Sequence, residues 1–497
     1  MTETQSSYRQ IFKATSLFGG VQVFNILIGI VRVKFVAVLL GTAGVGILGL
    51  LNAPLNLILS ITGLGIAFSA IRDVSEAHGT DDQKRIAIVI KTLRRWSWFT
   101  GLLGAVVTVS LAPLLSQWTF GNHKYTWAFV WLSVTLLLQA ISKGQSAILQ
   151  GTRRLKDMAK AGVIGSALGL FISIPLYYWY GVKGIVPAIL ITTATGLLLS
   201  WHFSRRVVVE KIELTFKETF TSGLGMAKLG IFMTIVGFLT TFSAYILNAF
   251  ISNRGGVDQV GLYNAGWGVV GQYTGIIFSA MATDYYPRLS AINNDIEKVK
   301  ELVRQQAETA VLIMTPLLTL LVITMPFVIR ILYTPAFLPV IMFANLTILG
   351  MPFMAVTWAM GYTFLAKGHG SLFLTIEFIP SIVALINNLA GYYFWGLNGL
   401  GYSFILNYII GYTITYMIVK SRYKVSFPIS FYKVFITSLA FCLFSFISVT
   451  LLTSYYKYIA SITSFCLASI FAIVVLNKRM DIKIIINKIV TKLKGDA

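Results

Sequence analysis

The chain has 497 residues, is 56% apolar and 12% charged, and has a mean hydropathy of +0.77. Soluble domains carry about 25% charged residues, so this composition excludes a soluble globular domain and predicts an all-α polytopic membrane protein. The formal charge of +22 has to be located on the chain before it is assigned a partner.

Read between the polar gaps, the sequence predicts about fourteen transmembrane helices, near 14–40, 45–71, 96–115, 126–149, 161–180, 185–203, 224–250, 260–286, 307–330, 340–365, 371–394, 400–419, 434–453 and 459–476. Each is long enough for a crossing, which takes about 20 apolar residues. The first is too long for a signal-peptide core and lacks an A-x-A-like cleavage site, so it is expected to be retained.

The first span is apolar yet contains Gln22, Asn25, Arg32 and Lys34. At 100° per residue, Gln22, Asn25, Gly29 and Arg32 share an arc of about 80° on one helix face. A guanidinium facing lipid costs at least about 2.5–3.5 kcal/mol, so this stripe is expected to face protein or a water-filled cavity. Snorkelling or local pairing is the alternative for Arg32 and the favoured reading for Lys34, which points elsewhere near the span's end. The glycine-rich GTAGVG (Gly41–Gly46) reads as a turn between spans one and two.

Span two carries Asn52, Asn56 and Ser60 at four-residue spacing. Span four carries Gln139, Ser142, Lys143, Ser146 and Gln150 as one stripe, which favours a wet inner face, with snorkelling of Lys143 as the alternative. Lys228 opens span seven near its charged end. Span eight begins with Tyr263, Asn264, Trp267, Gln272 and Tyr273. Amides, hydroxyls and flat rings suit a sugar chain; interhelical hydrogen bonding with an interfacial aromatic belt explains them equally well.

Glu377 in span eleven, followed by Pro380, Asn387 and Asn388, is the one carboxylate well inside a span; Asp284 and Glu308 read as interfacial. Such a carboxylate should be protonated, paired or bound to an ion. This makes Glu377 a candidate ion-coupling residue, against a static salt bridge to Lys143 or Lys228. Cys442 and Cys466 have no metal or CxxC spacing and read as buried small hydrophobes. Prolines 54, 175, 187, 316, 352 and 380, and the GxxxG pairs Gly165/Gly169 and Gly271/Gly275, read as scaffold features.

Of 40 Lys and Arg, 31 fall at the termini and in the even-numbered gaps, and four in the opposite gaps. The positive-inside rule places both termini in the cytoplasm. Most of the charge therefore marks topology and implies no nucleic-acid partner. The segment KRMDIKIIINKIVTKLK reads as a basic amphipathic tail on membrane lipids of the inner leaflet.

One constant register shift superposes Lys13 on Lys228, Val45-Gly46 on Val260-Gly261 and Ser75 on Ser290. This predicts two pseudo-symmetric six-helix lobes, 1–208 and 224–422, in parallel orientation. Residues 209–223 form a cytoplasmic linker, and 423–497 an extra helix pair with its tail. No Walker A, HExxH, GxSxG or paired-carboxylate pattern is present, so the chain reads as no enzyme and as needing no cofactor or metal.

The runs VRVKFVAVLLGTAGVGILGL, ISKGQSAILQGTRRLKDMA and LAKGHGSLFLTIEFI resemble the Wzx-type O-antigen and polysaccharide flippases of the MOP superfamily, over about 400 residues. The resemblance implies a MATE-like fold in the bacterial inner membrane. It also implies translocation of undecaprenyl-diphosphate-linked oligosaccharide by alternating access, with H⁺ or Na⁺ as coupling ion and polysaccharide polymerase or assembly proteins as candidate partners. Family members use cationic cavities for the diphosphate, which makes Arg32, Lys143 and Lys228 the candidate diphosphate ligands. Gln22, Asn25, Asn52, Asn56, Tyr263, Asn264, Trp267 and Gln272 are then the candidate glycan or cavity-lining residues. The extra helix pair also fits the MurJ lipid II flippases. A MATE-type cation or drug antiporter is the rival transporter; a glycan polymerase or ligase, the enzymatic rival, would be expected to carry a large external loop.

Overall fold

The computed structural model describes residues 3–79, 82–210, 212–292, 295–367 and 369–480. The side chains of Gln22, Lys228, Tyr273 and Asp284, and the basic tail from residue 481, lie outside the described residues. The helices are α1 (Glu3–Thr62), α2 (Ile66–Gly79), α3 (Gln83–Phe120), α4 (Thr126–Gly151), α5 (Leu155–Tyr180), α6 (Ile185–Ser204), α7 (Phe216–Gly255), α8 (Val257–Ala291), α9 (Ile296–Leu332), α10 (Val340–Ala366), α11 (Gly370–Tyr423), α12 (Ile429–Leu451) and α13 (Ser454–Met480). The predicted spans map onto these helices to within two residues, except that the second, 45–71, is broken at residues 63–65 between α1 and α2. Among the described residues there is no strand, and nine helical stretches are long and apolar enough to cross a membrane. The chain is an all-α polytopic membrane protein.

Three of the predicted gaps are single residues, at Gly41, Gly256 and Gly396. GTAGVG is not a loop: Gly41 alone leaves helical geometry, at φ 65° and ψ −165°, and α1 continues through Gly44 and Gly46. Gly396 breaks α11 in the same way, at φ 59° and ψ −140°. Only glycine adopts such a backbone at low cost. These kinks recur at the register shift that superposes Lys13 on Lys228: Gly41 pairs with Gly256 and Gly181 with Gly396, all four at positive φ. The ends of α4 and α10 recur too. Arg154 N–H bonds Leu149 O at 2.8 Å, and at the equivalent positions of the second repeat His369 N–H bonds Phe364 O at 3.0 Å, the long bond of a Schellman turn.

The chain clusters into two compact units, residues 1–264 with 331–336, and residues 265–330 with 337–497. In the first, one apolar cluster joins Leu51 and Leu55 of α1 to Leu132 and Leu136 of α4 and Ile185 and Ala188 of α6. A second joins Ala70 and Val74 of α2 to Ile90 and Leu93 of α3 and Ala147 and Ile148 of α4. The polar stripe of α4 lies between Leu136 and Ala147, and so between the two clusters along that helix. Within this unit α1 crosses α8 with glycine on both sides: a Cβ on Gly46 would strike Val257 O, and one on Gly261 would strike Thr42 O. Gly46 corresponds to Gly261 and Thr42 to Val257 under the same register shift, so the contact is reciprocal in the repeat.

The linker is tied to α3. Lys91 donates to Ile212 O, Arg95 donates to Leu214 O at 3.0 Å and to Thr219 Oγ1 at 2.6 Å, and Trp96 stacks on Phe220 with 5.1 Å between ring centroids. Thr215 and Glu218 then form a capping box that starts α7.

In the second unit α10 is apolar on all sides, and 72% of its most apolar window is buried, as expected for a central helix. The halves of α11 are joined by polar side chains: Asn387 donates to Asn407 Oδ1, and Asn407 to Asn388 Oδ1, each at 2.9 Å. The α12–α13 pair packs on α9 through Val434, Ala472 and Leu312.

Three expectations are corrected, on Cys466, on Gly271/Gly275 and on Lys34. Cys442 is buried but Cys466 is exposed. Glu308, read as interfacial, is 8% exposed and bonded to Arg479 at 3.2 Å. Gly271 and Gly275 face open space and carry no close helix packing. Lys34 is half-buried and donates at 2.5 Å to the Tyr333 carbonyl, just past the end of α9, instead of snorkelling outward.

Candidate functional site

The helices of the first unit enclose two cavities. One, of about 510 Å³, is lined by Arg32 of α1, by Gln139, Ser142, Lys143 and Ser146 of α4, and by residues of α5 and α6. The other, of about 460 Å³, is lined by Asn56 and Ser60 of α1, Ser97 and Thr100 of α3, Lys143 again, and Thr234 and Thr241 of α7. Among the described residues, neither wall contains a carboxylate.

Each helix supplies these groups for a local reason. Gln139, Ser142, Lys143 and Ser146 follow helical spacing, so α4 presents one polar face. On α5 and α6, Gly162 and Gly196 meet nothing within 4 Å, and Cβ atoms on Gly165 and Gly169 would make only ordinary contacts at 3.5 and 3.6 Å. The absent side chains make the room. The Gly165/Gly169 pair is therefore a cavity wall and not a tight helix crossing. The second cavity opens at the break between α1 and α2, where Leu64 and Gly65 both have positive φ.

Arg32 and Lys143 are exposed, and neither forms an ion pair with any described residue. The Tyr177 hydroxyl of α5 is buried beside the Arg32 guanidinium without a well-formed hydrogen bond. Neighbouring hydroxyls are already engaged: Ser142 and Ser200 lie 3.0 Å apart, and Thr192 donates to Ala188 O at 2.7 Å. The charge of the described lining is thus confined to two cations, with the Gln139 amide and the Ser146 hydroxyl beside them, an arrangement that suits an anion with several acceptor oxygens.

The remaining candidates are dispersed. Asn25 accepts from Ser166 at 2.9 Å and so braces α1 on α5. Asn52 donates to Leu48 O of its own helix at 2.8 Å, and Asn264 to Asn248 at 3.1 Å. Tyr263 is buried, Trp267 stacks on Phe404 at 4.9 Å, and Gln272 is exposed. Glu377 lies half-buried on α11 in the second unit and forms no hydrogen bond or ion pair among the described residues. The structure brings Arg32, Lys143 and Asn56 to cavity walls, with Lys143 shared between them. Sequence reasoning missed the α5 and α6 glycines as cavity formers and the α7 threonines. The spacing Gly162, Gly165, Gly169 was the available signal.

Residues 35–342 match the family described as polysaccharide biosynthesis protein. The chain is 24% identical over 286 residues to proteins of Escherichia coli (strain K12) and Shigella flexneri, each named "Lipid III flippase". That match covers 56% of this chain and 66% of theirs, just under two thirds of the relatives' length. Among solved structures, an inward-facing multidrug resistance MATE family transporter of the MOP superfamily superposes with a TM-score of 0.69 at 14% identity, over 82% of this chain and 96% of that one. The lipid II flippase MurJ, in an inward closed conformation, superposes with a TM-score of 0.68 at 15% identity, over 94% and 99%. On the extent of the family match and on this shared architecture, the chain belongs to the polysaccharide biosynthesis protein family and has the fold of the MOP superfamily.

Proposed function

We propose that the protein is a flippase that moves a polyprenyl-diphosphate-linked oligosaccharide, an O-antigen or related surface polysaccharide unit, across the bacterial inner membrane. The observation that carries this reading is the pair Arg32 and Lys143 on one cavity wall that has no carboxylate among the described residues. A diphosphate offers such a pair several acceptor oxygens, and Arg can bind them bidentately while Lys acts as a point charge. The curated relatives and one structural neighbour are named as flippases of lipid-linked substrates, lipid III and lipid II. The family match adds polysaccharide biosynthesis.

In this reading the lobes are 1–208 and 224–422, related by the internal repeat, with access alternating as one rocks against the other. The recurrent kinks Gly41/Gly256 and Gly181/Gly396 support that division. Both termini lie in the cytoplasm on the charge count, and an ion gradient supplies the driving force. A lipid II substrate keeps the same diphosphate chemistry. A cation or drug antiporter fits the cavities less well, because a cationic substrate would be repelled by Arg32 and Lys143 and would meet no carboxylate among the described residues.

The test is flipping of a fluorescent lipid-linked oligosaccharide in proteoliposomes. Arg32→Ala is expected to lower the rate tenfold or more at unchanged membrane level, since hydrogen bonds to charged groups contribute about 1.5–3 kcal/mol. Arg32→Lys should restore part of it. Wild-type flipping by Arg32→Ala overturns the assignment.

A further inference from the structure

The second unit contains a cavity that the transport reading does not use. The last turn of α8, the first half of α9 and the last turn of α13 enclose about 610 Å³. Among the described residues, four cations line it, Arg288, Arg304, Lys478 and Arg479, against two carboxylates, Glu301 and Glu308. Both carboxylates are already neutralised: Arg304 pairs with Glu301 at 2.5 Å, and Arg479 with Glu308 at 3.2 Å. Lys478 forms no ion pair among the described residues, and the described lining therefore carries a net positive charge.

Its other lining sets the kind of anion. Gln305, Gln306 and Thr309 add donors on the α9 side, while Leu312 and Leu476 form an apolar floor inside the α9–α12–α13 core. One turn before Lys478, the apolar side chains of Ile473 and Val474 are 59% and 46% exposed on α13. A phosphate entering beside them brings its glycerol and first acyl carbons against an apolar wall. Basic pockets between helices at the membrane surface bind anionic headgroups in this way. The same end of the chain continues into a tail with four further lysines, Lys483, Lys488, Lys492 and Lys494. Like charge disfavours that tail as the occupant and favours the same anionic surface for both.

We propose that this cavity holds the phosphate headgroup of an anionic phospholipid from the leaflet on the basic, cytoplasmic side, and that the lipid fastens the α12–α13 pair to α9. The ligand chemistry is a phosphate monoanion with an acyl chain attached.

The full chain, purified in detergent, is examined by native mass spectrometry with phosphatidylglycerol, phosphatidylethanolamine or glycerol 3-phosphate added, and its thermal unfolding is followed in parallel. Phosphatidylglycerol adducts are expected to survive activation that strips phosphatidylethanolamine, and to raise the unfolding midpoint. Arg304→Gln with Lys478→Gln should cut retention at least fivefold and abolish the rise. Lys478→Gln alone, an exposed change at a helix end, should lower retention measurably if the double variant folds poorly. Arg32→Ala should retain phosphatidylglycerol as wild type does, which separates this site from the transport cavity. Equal retention of the two lipids, undiminished retention in both variants, or an equal stabilisation by glycerol 3-phosphate overturns the proposal.

Discussion

Lys143 is, among the described residues, the side chain common to both cavities of the first unit. Its flexible stem lets one charge serve either wall, whereas the planar fork of Arg32 is confined to one. Lys143→Gln is therefore expected to reduce flipping tenfold or more, and Lys143→Arg to retain most of it, in the same proteoliposome assay. The glycines make a steric counterpart. Gly162 and Gly196 face open space, so Gly162→Leu and Gly196→Leu should fold with little loss of stability yet slow transport by filling the cavity. Wild-type flipping by both variants would show that substrate does not pass there. Glu377 is a different case. It is half-buried and unpaired among the described residues, which suits a carboxylate that exchanges H⁺ or Na⁺ better than one locked in a static bridge. Glu377→Gln is expected to flatten the response of flipping to an imposed ion gradient; an unchanged response to both H⁺ and Na⁺ gradients places the coupling elsewhere.

At the scale of elements, what holds each helix differs, and so does what a substitution does. The α1–α8 crossing allows backbone to meet backbone at Gly46 and Gly261, so a methyl group there has no flexible neighbour to displace. Gly46→Ala should destabilise by about 1–3 kcal/mol, the usual range for overpacking, read as a lower unfolding midpoint in detergent; the cavity variant Gly162→Ala should not. The start of α7 depends on the Thr215–Glu218 box. Hydrogen bonds from Thr215 hold the Glu218 carboxyl below its ordinary range. A depressed carboxylate adds stability above its unfolded pKa, about 4.3, and loses it as pH falls through the lower folded value. The protection factors of the amides from Thr215 to Thr219 should accordingly fall on acidification, and Glu218→Gln should remove that dependence, whereas Thr215→Ala keeps the backbone N–H bond to the carboxylate. Much of this level was legible in the sequence: hydrophobic length located the spans, and the polar stripe of α4 marked a helix face that lines cavities. Single-residue kinks were not legible, since a glycine at a helix break and one in mid-helix read alike. Gly41 looked like part of a loop with Gly44 and Gly46, yet only Gly41 breaks the helix.

Over the whole molecule, charge and repetition carry the argument. The register shift between the halves was visible from a few matched letters, and the backbone repeats it where those letters say little, in the pairs Gly41/Gly256 and Gly181/Gly396. The polar candidates were less legible because one residue type does two jobs. Asn25, Asn52, Asn264 and Asn387 are all engaged in hydrogen bonds within or between helices, whereas Asn56 lines a cavity, and nothing in an asparagine's letter separates these fates. Basic residues divide in a similar way. Lys91 and Arg95 bind the linker, so part of the charge that marks topology also fastens structure. Orientation can be tested apart from transport. Alkaline phosphatase fused after Gly121 or after Lys457, in gaps with one basic residue each, should be active in the periplasm. Fused after Arg85 or after Arg206, in gaps rich in Lys and Arg, it should be inactive. Replacing Lys91 and Arg95 by Gln should loosen the linker without inverting these results, because the remaining cations of that gap, Arg72, Lys84, Arg85 and Arg94, still bias it inward. If activity appears on the basic side in the wild-type chain, the orientation is reversed. Arg32 and Lys143 then still share one cavity, since their placement in the first unit does not depend on which leaflet the charge faces.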